Sequence, residues 1–206
     1  MLGYVFWHAP AEGVDAAHYE NALSAFHRSL AHSPPFGFEG SAAFRVGASP
    51  WEAFRTATAP PGPGASGWYE DWYLVADFSA LGVLNEAAVA RGHRSLHDRA
   101  AKGLGSATAG IYRLLEGAPV SGASIGECRH ATWIEPSGST NAAEMGALLG
   151  DGMDPSSASV WRRQLVLGPA PEFCVLSREQ PAGVASTRLA PRWSARTLPR
   201  EAVFGA

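Results

Sequence analysis

Residues Phe6-Trp7-His8-Ala9-Pro10 and Thr132-Trp133-Ile134-Glu135-Pro136 share a Trp-x-x-Pro pattern at an offset of 126 residues. At the same offset, without a gap, Asp15-Ala16-Ala17 aligns with Asn141-Ala142-Ala143, and Leu23 with Leu149. A strand end followed by a capped helix, used twice, implies two copies of one α+β unit. An internal repeat constrains architecture more strongly than any single motif. The expected organisation is a first unit at 1–118 with a flexible insert at 47–67, a linker at 119–129, and a second, degenerate unit at 130–206 ending in a tail.

The element order follows from local pattern. Tyr4 to His8 is short, aromatic and β-branched and ends at Pro10, which reads as a strand. Asp15 stands where an N-cap belongs, and Tyr19, Leu23, Phe26 and Leu30 recur on one helical face up to Ser33-Pro34-Pro35. Residues 41–46 form a second strand, and the run Pro60-Pro61-Gly62-Pro63-Gly64 marks the insert as an excursion. Trp68 to Phe78 is the strongest strand signal. Ser79 caps a helix to about Arg91, and His93 to Lys102 is a short helical or looped piece before a strand at Ile111 to Leu115. In the second half, strands are expected at 131–135, 159–167 and 172–177, with a shorter helix at 141–149. There Glu172, Cys174 and Leu176 match Glu70, Trp72 and Leu74 at an offset of 102. Past Arg178, Pro181, Pro191 and Pro199 exclude a long helix. A strand near Val184 to Leu189 and a wrapping tail are expected instead.

Bulk properties remove several function classes. A net charge of −3 leaves no electrostatic footprint for nucleic acid or an anionic membrane. No run approaches the roughly 20 apolar residues of a membrane helix, and the N-terminus lacks a basic signal region. Two cysteines among 206 residues form no disulfide framework, so a soluble, reduced, cytoplasmic protein is the default expectation. No phosphate-cradling Gly-rich motif precedes a helix.

The order β-α-β-β-α-β is the ferredoxin-like unit. A ferredoxin-like sheet carries helices on one face, so its other face must be covered. In its element order and repeat, the chain resembles the dimeric α/β-barrel superfamily, with both halves in one polypeptide. The resemblance implies two antiparallel sheets facing each other as a pseudo-dimeric barrel around a cavity. Members of that superfamily include cofactor-independent oxygenases, isomerases, cyclases, haem enzymes and proteins without assigned activity.

Strand alternation selects the candidate site residues. Phe6 and His8 share one face of the first strand, opposite Trp7. Asp71 and Tyr73 share a face of the third, opposite Trp72. Arg162 and Gln164 share a face opposite Trp161. If the Trp faces pack on helices, then Phe6, His8, Asp71, Tyr73, Arg162 and Gln164 line the inter-sheet cavity. His8 near Asp71 is a candidate general base, with Tyr73 a third catalytic candidate. Phe6, Arg162 and Gln164 are candidate ligand contacts, Arg162 needing a carboxylate partner. His93 and His97 have a metal-compatible spacing but no third ligand, so no metal site is expected.

These residues support a small apolar or aromatic ligand in the cavity, with acid/base chemistry and no cofactor. Two alternatives are a non-catalytic scaffold with a filled core, and a haem protein using His8, His93 or His97 as axial ligand. The oligomeric state is left open by the sequence.

Overall fold

The computed structural model describes residues 1–55, 67–117, 121–136, 156–166, 170–180 and 193–205. Eight strands close into one antiparallel barrel. They are β1 (Leu2–Pro10), β2 (Phe38–Val46), β3 (Trp68–Val75), β4 (Leu104–Gly117), β5 (His130–Pro136), β6 (Ala158–Val166), β7 (Phe173–Ser177) and β8 (Trp193–Gly205). Around the barrel the order is β1-β3-β2-β8-β5-β7-β6-β4. Exchanging β1–β4 with β5–β8 returns the same cyclic order. Each half contributes a 4-1-3-2 sheet, and β4 and β8 close the barrel by pairing with β6 and β2 of the opposite half.

Five helices are described: α1 (Ala16–His32), α2 (Pro50–Arg55), α3 (Phe78–Val89), α4 (Arg94–Ala101) and α5 (Gly122–Glu127). Asp15 caps α1 by accepting from His18 N at 2.8 Å, as its position implies. For α3 the cap is Asp77, accepting from Ala80 N at 2.9 Å, and not Ser79. Asp77 precedes the first helical residue and so holds the extended conformation a cap requires.

The barrel interior is filled. Trp7 meets Trp133 with ring centroids 5.4 Å apart, and Trp72 meets Trp161 at 5.2 Å. These contacts join strands that do not pair, β1 with β5 and β3 with β6, so they cross the lumen. Tyr112 and Phe44 complete the aromatic packing. Gly3 admits it: a Cβ there would lie 2.9 Å from the Trp72 ring. The expected assignment of faces is thus reversed. The Trp faces of β1, β3 and β6 point inward, and the His8 and Asp71 faces point outward to the helices. Alternation separates the two sets but does not say which is inside, because the first-half sheet is covered on both.

At the centre of this aromatic core sits an ion pair. Glu70 accepts from Trp7 Nε1 at 3.0 Å and Trp72 Nε1 at 2.8 Å, and Arg200 Nε lies 3.3 Å from its Oε1. The Arg200 guanidinium also lies over the Phe44 ring, 3.4 Å from its centroid. An internal Arg–carboxylate pair thus joins the halves, between Glu70 and Arg200.

Three further segments carry regular structure, while residues 56–66 of the expected insert lie outside the described residues. The start of the 47–67 excursion is α2, opened by a Ser49–Glu52 capping box, and its Trp51 packs edge-on to Trp7 at 5.7 Å. The 119–129 linker contains α5, whose Ile125 is fully buried in the aromatic core. The tail is the strand β8. Pro199 is tolerated because it stands where β8 leaves β5, pairing with His130, and takes up β2, pairing Arg200 with Val46. The expected helix at 141–149 and strand at 184–189 lie outside the described residues.

Candidate functional site

The outward face of β1 carries Tyr4, Phe6 and His8, and that of β3 carries Tyr69, Asp71 and Tyr73. The antiparallel register sets Tyr4 against Tyr73, Phe6 against Asp71 and His8 against Tyr69. His8 and Asp71 are therefore diagonal neighbours, within reach across the strand pair. Over this face lie α1, α3 and α4, and between sheet and helices is a cavity of about 560 Å³. Its floor is Tyr4, Phe6, His8, Asp71 and Tyr73. Its walls include Tyr19, Leu23 and Phe26 of α1, Leu81, Leu84, Asn85 and Ala88 of α3, and His97 of α4. The size and mostly apolar lining are those of a small-molecule pocket.

The polar residues converge on one carboxylate. Asp71 is 1% exposed. Its Oδ2 lies 3.2 Å from His8 Nε2 and 3.3 Å from His27 Nε2, and accepts from the Tyr73 hydroxyl at 3.1 Å. The His8 contact is close but poorly aligned for a hydrogen bond, and Asp71 Oδ1 has no hydrogen-bond partner among the described residues. On the far side of each imidazole, His8 Nδ1 is 2.6 Å from the Tyr19 hydroxyl and His27 Nδ1 is 2.7 Å from Ser41 Oγ. His8 is stacked between Phe6, at 5.1 Å, and Tyr69, at 5.6 Å.

Burial by itself pushes the Asp71 carboxyl up, but the adjacent imidazoles of His8 and His27 outweigh it and hold it well below the usual carboxylate range. Burial, followed by the Asp71 charge, raises the Tyr73 hydroxyl far above an ordinary phenol and raises Tyr19 as well. The site at neutral pH is a carboxylate among neutral phenols.

Four of the six residues expected from the sequence, Phe6, His8, Asp71 and Tyr73, are brought together here. The cavity they line lies outside the barrel, because the lumen is occupied by tryptophan. Arg162 and Gln164 are not part of it. Arg162 pairs with Glu172 at 3.1 Å on the outer surface of the second half, and Gln164 is exposed beside Arg113. They share the outward orientation of His8, but on β6, a strand that the first-half helices do not cover. His27 and Tyr19 went unrecognised. The available signal was helical: Tyr19, Leu23, His27 and Leu30 fall on one buried stripe of α1, and a histidine in such a stripe requires polar partners.

His93 ties helices together, its ring nitrogens 3.0 Å from Ser29 Oγ and 3.1 Å from the Ser33 carbonyl. His97 lines the cavity and packs edge-on to Phe26 at 5.5 Å. Of the three histidines considered for a haem, His8 has both nitrogens facing protein groups and His93 is held by Ser29 and Ser33, whereas His97 lines the cavity, whose described lining includes no Arg or Lys. Both cysteines are free and buried. Burial, then the charge of Glu70, pushes the Cys174 thiol well up and keeps it protonated.

No family model matches the sequence, and no curated protein matches it. Solved structures do resemble its fold. A candidate monooxygenase from Fusobacterium nucleatum superposes with a TM-score of 0.61 at 6% identity, over 98% of this chain and 92% of that one. A candidate monooxygenase from Lactobacillus acidophilus aligns with a TM-score of 0.50 at 12% identity, over 97% and 93% of the two chains. A candidate chlorite dismutase gives 0.50 at 10% identity, over 98% and 94%. At such identities the likeness concerns the fold alone, an antiparallel α+β barrel that is closed here within one chain.

Proposed function

We propose that this protein binds a small, largely apolar or aromatic molecule between the outer face of β1 and β3 and helices α1, α3 and α4. The His8–Asp71 pair supplies acid/base chemistry without a bound cofactor. One observation carries the reading: a buried carboxylate, flanked by two imidazoles, forms part of the floor of a mostly apolar cavity. Buried charge is costly, and perturbed titratable groups in a cleft are the usual mark of a functional site. The monooxygenase descriptions attached to two structures of the same fold support a small-molecule enzyme. The matching halves of the strand order support reading the chain as two copies of one ferredoxin-like unit, of which only the first keeps the His8 cluster.

In this reading the apolar walls orient the ligand, Phe6 supplies a ring face, and His8 takes up a proton. Asp71 stabilises the imidazolium that forms, while Tyr73 and His27 hold the carboxylate in place. Native mass spectrometry with 7-methoxycoumarin as an apolar bicyclic probe tests the binding. Wild-type protein is expected to retain one molecule. Ala88→Trp, which fills the cavity from α3, is expected to retain none while keeping its fold. Equal retention by both would contradict the assignment.

A further inference from the structure

The geometry points to Tyr19 as the group that meets the ligand, receiving the proton of a ligand hydroxyl and passing its own to His8. The inference rests on the cavity reading above and assigns that site its substrate class: apolar ring compounds bearing an acidic hydroxyl, of the phenol or enol type.

His8 is 1% exposed, and each of its nitrogens faces a protein group. With the carboxylate Oδ2 3.2 Å from Nε2, the favoured tautomer carries its hydrogen on Nε2. Nδ1 is then an acceptor, and the Tyr19 hydroxyl, 2.6 Å away, is the donor to it. A ligand in the cavity meets no free nitrogen of His8. Tyr19 lines the same cavity, and its oxygen, donating to His8, keeps lone pairs that accept a hydrogen bond. Tyr19 is well fixed for this role. Its ring packs against the backbone of Gly103, where a Cβ would lie 2.7 Å from the ring, and lies 5.2 Å from the Tyr69 ring.

The transfer balances without any redox partner. The ligand O–H bond breaks as its proton joins the Tyr19 oxygen. The Tyr19 O–H bond breaks as that proton joins His8 Nδ1. The products are a ligand oxyanion and an imidazolium beside Asp71, with Tyr19 again a neutral phenol. Burial, the Asp71 charge and Tyr69 keep that phenol protonated at rest.

The test compares 7-hydroxycoumarin, whose ionisation changes its absorption, with 7-methoxycoumarin. Wild-type protein is expected to prefer the hydroxyl compound by about tenfold, the worth of one hydrogen bond, and to show its ionised spectrum below its solution pKa. Tyr19→Phe is expected to bind both compounds alike and show only the neutral spectrum. Asp71→Asn gives a second reading, keeping the hydroxyl preference and losing the ionised spectrum. If neither compound binds wild-type protein, the cavity reading falls and the relay with it. If both bind, and Tyr19→Phe retains the preference and the ionised spectrum, the relay alone is overturned. Retention of the ionised spectrum in Asp71→Asn overturns it equally.

Discussion

At the scale of single residues, the same alternation that exposes His8 and Asp71 to the cavity drives Glu70 and Trp72 into the lumen, and each set makes its own demand. Asp71 is ionised in the native protein with its pKa held low, whereas an unfolded Asp titrates near about pH 4. Its stabilisation is therefore fully present above about pH 4 and is lost as the pH falls toward the native value. Urea midpoints measured from pH 6 downward should drop below that point, and Asp71→Asn should flatten the decline. Inside the lumen, Gly3→Ala would push a Cβ to within 2.9 Å of the Trp72 ring, against a packed wall of indoles. Overpacking of this kind costs about 1–3 kcal/mol, measurable by chemical denaturation. Removing one member of the buried Glu70–Arg200 pair is more severe. Glu70→Gln strands the guanidinium and should cost about 3–5 kcal/mol, and the double change with Arg200→Met should recover most of it.

At the scale of elements, the helices α1, α3 and α4 turn one face of a sheet into a site. Asp77→Ala removes the α3 cap and should cost about 1 kcal/mol of stability. It should also speed amide exchange in the first turn of α3, which carries the cavity residues Phe78 and Leu81. Much of this level was legible in the sequence. The periodicity of α1 and the alternation of β1 and β3 identified the strands and the companionship of Phe6, His8, Asp71 and Tyr73. What was not legible was which face of the sheet looked inward, since both faces of β1 and β3 are buried and a period of two labels neither. The same ambiguity carried Arg162 and Gln164 into the expected site. Their strand alternates as β1 does, but the cover over its outer face differs. Pro199 disguised β8, because a proline argues against a central strand until its position at a change of partner is seen.

At the scale of the whole molecule, the repeated Trp-x-x-Pro start finds its physical meaning in the lumen, where Trp7 and Trp133 from the two halves touch. Among the described residues indoles fill the space between the sheets, and the proposed binding site lies instead on the outer face of the first half. There the histidine that follows Trp7 meets Asp71, whereas in the second half the residue following Trp133 is Ile134, packed in an apolar cluster. Among the described residues, aromatic side chains of both halves hold the barrel, and the His8–Asp71 cluster lies in the first. The most direct test is a crystal structure of the protein soaked with 7-methoxycoumarin. The account predicts density for the probe against Phe6 and His8, beneath Leu84 and Ala88 of α3. Density within the barrel, beside Trp72 and Trp133, would contradict it.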